Sequence, residues 1–319
     1  MNIQLLQYKE QVVRSIRDYF YNQQFHEVIV PVLQKTIPLE PNIYPFTSDD
    51  YVLPTSPEST CIQYLAGGGG NCFAVAPAFR NLEAPSPIHT PEFLMLEWYR
   101  EDATLEFIME EAKKLILYVA KKSSLFYQNG NPWQTHTMSD LFQQHLGVSL
   151  VQMTHTRRSQ SPNYSNPSYL PTKPLVTLAK EKGYETKNAT WEQLFNQIFL
   201  NEIEPHLGTE PVFVTDYPSC ISPLCAPKTG DPDFAERFEL YIDGIEIANG
   251  NKQKTTIEDI RNVFISEQKL RKEKGIISPP IDEVFLKALK NLQTKNIYGV
   301  GLGIDRLGMV LSGAKDIRL

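Results

Sequence analysis

Apolar and polar positions divide the chain into helical and extended stretches. Over residues 5–24, apolar side chains return at Val12, Val13, Ile16, Tyr19 and Phe20, the spacing of an amphipathic helix. The chain then turns extended through Val28-Ile29-Val30-Pro31. Residues 72–77 read as a short strand and 92–99 as a longer one. Residues 104–122 form a second helix, with Leu105, Ile108, Ala112, Leu115 and Val119 on one stripe. The Ser-, Pro- and Asn-rich stretch 158–174 reads as a long loop or insertion boundary. Helical patterns follow near 175–204, then a strand at Val212–Tyr217 and a hairpin at 237–249. Thr255-Thr256-Ile257-Glu258 has the form of a capping box opening a helix. Another helix covers about 282–292, and a glycine-rich strand runs into a helix at 299–312. No repeat and no βαβ series is visible. Sharp alternation with a hairpin predicts an α+β fold, an antiparallel sheet flanked by helices.

Composition narrows this further. The 319 residues are 41% hydrophobic and 21% charged, a globular balance. Lys plus Arg is 31 against 37 Asp plus Glu, a net charge of −6. That argues against a broad nucleic-acid face, which needs excess cations, and leaves room for a local basic patch. The longest clean apolar run, Leu115 to Ala120, is far below the ~20 residues that span a bilayer. The N-terminus carries no charged-then-apolar leader, so a cytoplasmic protein with no membrane partner is expected. Four cysteines make no disulfide framework, and Cys220 and Cys225 are expected to be ordinary buried thiols.

Three places carry candidate chemistry. On the strand at 92–99, period-two alternation puts Phe93, Met95, Glu97 and Tyr99 on one face and Leu94, Leu96 and Trp98 on the other. The second set is a core face. The first is the floor of a polar pocket, or a half-exposed strand face. In the hairpin, Asp243-Gly244 is a strong two-residue turn. It would set Tyr241 opposite Glu246 and Glu239 opposite Ala248, with Glu239 and Glu246 on one sheet face. Two carboxylates so close repel unless a cation lies between them. Mg²⁺ carrying nucleotide phosphates would serve, and a solvated charged face is the alternative. Arg80 and Arg306 each sit where a guanidinium can clamp phosphate, the second after the run Gly299 to Asp305. Gly67–Gly70 lacks a following Lys-Ser/Thr and reads as a turn.

These residues together resemble a known family. Phe79-Arg80-Asn81 with Pro91-Glu92-Phe93 and Glu97-Trp98-Tyr99 is similar to motif 2 of the class II aminoacyl-tRNA synthetases. Gly301-Leu302-Gly303-Ile304-Asp305-Arg306 resembles motif 3, and Phe25 to Pro31 a weak motif 1. The nearest subgroup is the lysyl-tRNA synthetase catalytic core. Within it, Thr55-Ser56-Pro57-Glu58, Glu97-Trp98-Tyr99 and Glu246-Ile247-Ala248-Asn249-Gly250 look most like the free-standing paralogues that aminoacylate elongation factor P.

The resemblance implies a six-stranded antiparallel sheet and activation of an amino acid as its adenylate. It implies that Arg80 holds the α-phosphate, Phe93 stacks on adenine and Arg306 grips the γ-phosphate. Glu239 and Glu246 would serve Mg²⁺-ATP and substrate. Glu58 would take the substrate amino group, and Glu97 and Tyr99 would lie near the side-chain amine. On this basis Arg80, Glu239, Glu246 and Arg306 are expected to be catalytic. Asn81, Leu82, Glu83, His89, Leu240 and Gly303 are expected to join them around ATP. Ser56, Pro57, Asn249, Gln253 and Gly301 join Glu58, Glu97, Tyr99 and Glu246 around the substrate.

The chain departs from the family pattern at several points. Leu82 stands where the motif has Glu, with Glu83 one place later, and the loop from Arg80 to Pro91 is one residue longer. Its second phosphate-gripping residue is His89, and the motif 1 Gly is Gln24. Gln253 replaces a family Glu that closes on the lysine ε-ammonium. Gly301 matches true lysyl-tRNA synthetases, where the modifying ligases carry Ala. The expectation is one catalytic domain over 1–319 with a variable insertion around 124–205. Its expected activity is ATP- and Mg²⁺-dependent adenylation of lysine or β-lysine and transfer to a lysine of elongation factor P. A homodimer and no stable tRNA complex are expected, since the motifs leave no stretch for an anticodon-binding domain. A minimal lysyl-tRNA synthetase-like enzyme and a catalytically silent regulatory paralogue remain as alternatives.

Overall fold

Apolar stripes decide which helices cover which face of the sheet. In the computed structural model, which describes residues 3–123, 132–158 and 171–317, eight strands form this sheet among the described residues. They are β1 (His26–Glu27), β2 (Cys72–Phe79), β3 (Glu92–Glu101), β4 (Gln134–Thr137), β5 (Val212–Thr215), β6 (Arg237–Ile242), β7 (Ile245–Lys252) and β8 (Ile297–Gly303). The order is β1-β2-β3-β8-β7-β6-β5-β4. The middle six pair antiparallel, as the resemblance implies. The edge strands β1 and β4 are additions and pair parallel.

The helices are α1 (Ile3–Asn22), α2 (Glu58–Ala66), α3 (Leu105–Lys122), α4 (Met138–Leu146), α5 (Leu150–Arg158), α6 (Lys173–Glu181), α7 (Trp191–Ile198), α8 (Ile257–Glu273), α9 (Glu283–Asn291) and α10 (Ile304–Ser312). The stripes of α1 and α3 meet Phe73, Leu96, Trp98, Phe238 and Val300 in one core on one sheet face. Phe20 stacks on Phe73 with ring centres 4.8 Å apart. The opposite face carries α2, α8 and α9 through Cys61, Ile62, Phe264, Phe285 and Leu289, packed on Cys72, Ala74 and Tyr99. A third apolar cluster gathers α4 to α7 around Trp191 and Phe195 against Val212 and Val214. Burying such clusters supplies the main favourable free energy of the fold.

Several sequence expectations are corrected. The α8 box does not form. Thr256 caps with no side-chain bond, and Asp259, at the third helical position, is drawn to Lys254 at 3.2 Å. Reciprocal boxes form instead at Thr137/Asp140 and Thr190/Gln193. The strand starting at Val212 ends at Thr215, because Asp216 takes a left-handed φ of 57°. Arg158 ends α5 and Lys173 opens α6, while the rest of the expected 158–174 loop up to residue 170 lies outside the described residues. Residues 124–131 of the expected insertion lie outside them too. Cys61 and Cys72 are buried free thiols, but Cys220 and Cys225 are only partly buried. Among the described residues no helix is long and apolar enough to cross a membrane.

Candidate active site

A cavity of about 310 Å³ opens on the sheet face opposite α1 and α3. Its floor is the predicted face of β3: Phe93, Met95, Glu97 and Tyr99 all line it, while Leu96 and Trp98 are buried in the core behind. Strand β8 runs beside β3 with Gly303 opposite Met95, Gly301 opposite Glu97 and Gly299 opposite Tyr99. Glycine is needed here for close approach. A Cβ on Gly299 would lie 2.5 Å from Tyr99 Cε1, and one on Gly301 2.8 Å from Met95 Cε. The cavity therefore follows β3 from Phe93 to Tyr99, and only the Phe93 end carries guanidinium groups.

The Phe93 end holds the two guanidinium groups, each with a carboxylate beside it. The Arg80 guanidinium stands 5.2 Å from the Phe93 ring centre and reaches Glu83 at 3.9 Å. Leu82 takes a left-handed φ of 65° and points outward, 64% exposed. That local reversal absorbs the extra residue and leaves Glu83, not Leu82, on the cavity wall. Asn81 does not line the cavity; its Oδ1 accepts from the Leu82 amide at 2.9 Å. Arg306 lies in the first turn of α10, which opens directly after Gly303. It donates to the Glu246 carbonyl at 2.9 Å and to Glu246 Oε2 at 3.3 Å. It also donates to His89 Nε2 at 2.7 Å. That bond makes His89 Nε2 the acceptor and leaves its proton on Nδ1, facing Ser86 Oγ at 2.9 Å. Burial and then the Arg306 charge lower the His89 pKa, which favours the neutral ring that accepts from Arg306.

The Tyr99 end is acidic. Glu58 opens α2 directly after Pro57, which caps the helix and does not line the cavity; Ser56 does line it. Gln253 Nε2 donates to Glu58 Oε1 at 3.0 Å. The Tyr99 hydroxyl donates to Glu97 Oε2 at 2.9 Å. Burial pushes the Glu97 carboxyl up to about 8, against the Tyr99 hydrogen bond and helped by Glu40. Glu58 is raised well above the carboxylate range by burial, then by Glu40 and Glu97. A cluster of buried acids held partly neutral is suited to receive a cationic group, which would restore their charge. Sequence reasoning did not find Glu40, which comes from an irregular segment with no pattern, or Asn251, two places beyond Asn249 on the same face of β7.

The hairpin register differs from the expected one. Asp243 and Gly244 form the turn, with φ of 55° and 70°. Tyr241 faces Glu246 as expected, but Leu240 faces Ala248 and Glu239 faces Asn249. Ile247 is an extra, bulged residue, and Ile247 and Ala248 both enter the core. The bulge reverses the alternation, so Glu246, Asn249 and Asn251 all line the cavity. Leu240 is fully buried in the core. Glu239 is buried and does not line the cavity. Its Oε1 accepts from Arg237, and its Oε2 accepts from Tyr217 and Tyr241, each at 2.6 Å. Burial pushes its carboxyl up, the Arg237 charge pulls it down and Glu246 raises it.

This donor set fits a hard cation through Glu246, whose side chain is 38% exposed. A single carboxylate with phosphate oxygens is a common Mg²⁺ arrangement. Glu239 is occupied by its own partners, and no group of three or more His, Cys, Asp or Glu side chains suited to a metal is present among the described residues.

A six-stranded antiparallel core, an arginine after β2 and a glycine strand leading into an arginine-bearing helix define a class of protein. The chain belongs to the class II tRNA synthetases (D, K and N), which it matches over residues 2–319. Within that class it is similar to proteins named elongation factor P–(R)-β-lysine ligase. It is 31% identical to the one from Pseudoalteromonas translucida (strain TAC 125), covering 99% of this chain and 94% of that protein. It is 31% identical to that of Baumannia cicadellinicola, covering 97% and 91%. With that of Salmonella arizonae it shares 29% identity over 96% and 90%.

Proposed function

We propose that this chain is an ATP-dependent, AMP-forming ligase that activates lysine or β-lysine and transfers it to a lysine of elongation factor P. The observation that carries the reading is one cavity with guanidinium groups at one end and buried carboxylates at the other. A diamino acid laid along β3 would present its ammonium groups to Glu58 and Glu97 and its carboxylate toward Arg80. ATP would lie at the Phe93 end, with Arg80 and Arg306 on its phosphates. The names of the relatives support the acyl group and the acceptor.

In the first step a substrate carboxylate oxygen attacks the α-phosphorus. The bond from that phosphorus to the bridging oxygen breaks and pyrophosphate leaves. Arg80 and Arg306, fixed by backbone carbonyls and by His89, stabilise charge already aimed at the phosphates. Mg²⁺ arriving with ATP would be held by Glu246 and would neutralise phosphate charge. In the second step an acceptor amine attacks the acyl carbon, AMP leaves and the amine loses a proton. Positioning, rather than a strong base, governs both steps.

The reading includes one catalytic domain over 1–319 with an insertion near 124–205. It includes a homodimer, supported by exposed Ile29 in the segment resembling motif 1 and by exposed Val32 and Leu33 just after it. It includes no stable tRNA complex, supported by the net charge of −6. ATP–pyrophosphate exchange against a panel of α- and β-amino acids tests the activity. Exchange with a diamino acid is expected, and Arg306→Ala should lower it about 10²–10³-fold. No exchange with any amino acid would establish the silent paralogue instead.

A further inference from the structure

Arg237 lies on β6 opposite Asn251, outside the cavity lining, and belongs to none of the sequence motifs. Its guanidinium is engaged on every side. Nε donates to Asn249 Oδ1 at 3.1 Å, Nη1 to Ser222 Oγ at 3.0 Å and Nη2 to Glu239 Oε1. Its face covers the Tyr217 ring at 4.5 Å, and that phenol donates to the other oxygen of Glu239. Three elements converge on this one side chain: β6, β7 and the turn that holds Ser222.

The consequence falls on Asn249. A side-chain amide has one acceptor atom and one donor atom. Arg237 can only donate, so it fixes Oδ1 toward itself and leaves Nδ2 as the group offered to the cavity that Asn249 lines. Asn249 therefore presents a hydrogen-bond donor, the type that recognises the oxygen of a carboxylate or acyl group. The Ile247 bulge is what makes this possible, since it sets Asn249 opposite Glu239 and within reach of Arg237. Glu239 balances the buried guanidinium charge, and leaving that charge unpaired would be strongly destabilising.

We propose that Arg237 is a positioning residue for amino-acid recognition: it fixes the Asn249 amide with Nδ2 toward the substrate oxygen, and Glu239 acts on the site by holding Arg237. This deepens the adenylation reading and rests on it.

The test is a double-mutant cycle of Arg237→Gln and Asn249→Ala, read by pyrophosphate exchange. Arg237→Gln should raise the amino-acid KM 10- to 100-fold and leave the ATP KM within about twofold. Because Arg237 acts through Asn249, the double variant should be no worse than Asn249→Ala alone. Arg237→Lys, which keeps the charge and loses the fork, should behave like Arg237→Gln in KM while melting closer to wild type. Additive losses, or equal rises in both KM values, would overturn the proposal. A crystal structure of Arg237→Gln reads the same point without catalysis. The Asn249 amide should lose its single orientation, and an unchanged amide would refute the role even if the wild type activates nothing. A silent wild type with a reoriented amide would defeat the adenylation reading alone.

Discussion

At the residue scale, Glu97 couples stability to pH. Its folded carboxyl titrates near 8, against a usual value of 4.5. Between those values the folded group holds a proton that the unfolded group has released. Stability from this residue is therefore complete below about pH 4.5 and lost as pH rises toward 8. Glu97→Gln keeps an acceptor for Tyr99 and removes the titration. Its melting temperature should fall less between pH 5 and 8, with a gain on the order of 2 kcal/mol at the upper end. Its exchange activity should collapse, since a neutral amide replaces a carboxylate facing an ammonium. A pH series of thermal melts checks the first outcome and exchange the second. Gln253→Glu moves the opposite way. It removes the bond to Glu58 and adds a carboxylate beside an acid already raised by burial. The free variant should melt lower at pH 8. Lysine should bind tighter by roughly 1 kcal/mol, about fivefold in KM, because a charge-assisted bond replaces a neutral one. An unchanged or raised KM for lysine would mean that the pocket serves another amino acid.

At the element scale, β8 shows why small residues alternate along one face. The Tyr99 ring is almost fully buried and its hydroxyl holds Glu97, so it cannot move away from a Cβ on Gly299. Gly299→Ala should cost about 1–3 kcal/mol and weaken amino-acid activation with it. At Gly301 the obstructing atom is the terminal methyl of Met95, which can swing aside. Gly301→Ala should therefore change stability by less than about 1 kcal/mol while narrowing the cavity 3.7 Å from Glu97 Oε1. Melting curves with KM values for lysine and β-lysine on both variants separate the two outcomes. The face assignment of β3 was legible because a strand has a period of two, and both its core and its pocket residues obey it. The β6–β7 register was not legible. A turn sets pairing only until a bulge intervenes, and no residue type announces Ile247 as the extra one.

At the scale of the whole molecule, the acceptor is the open variable. The net charge of −6 disfavours holding a polyanion by its phosphates, and an activated acyl group needs an amine held in line with it. Purified protein with Mg²⁺-ATP and lysine or β-lysine should add one aminoacyl mass to a single lysine of elongation factor P from the same organism. Charging of total tRNA in the same tubes should be negligible. Intact-mass spectrometry and acid-precipitable counts read the two acceptors together. Robust tRNA charging beside unmodified elongation factor P would convert the reading to a minimal synthetase.

The division between sequence and tertiary structure runs along the range of each interaction. The order of motifs along the whole chain carried the resemblance to the family, and local pattern alone set the helical stripes of α1 and α3, the two faces of β3 and the Asp243-Gly244 turn. Each of these local features depends on neighbours a few residues away. Contacts between distant segments decided the rest. The left-handed turn at Leu82 put Glu83 on the cavity wall. The bulge brought Asn249 opposite Glu239, and Arg237 took up a carboxylate that spacing alone had offered to a metal. Glu40 entered the acidic end from a segment without pattern. A carboxylate's charge and role follow from burial and from the partners that close on it, and those are fixed only when the sheet, its bulge and its covering helices have come together.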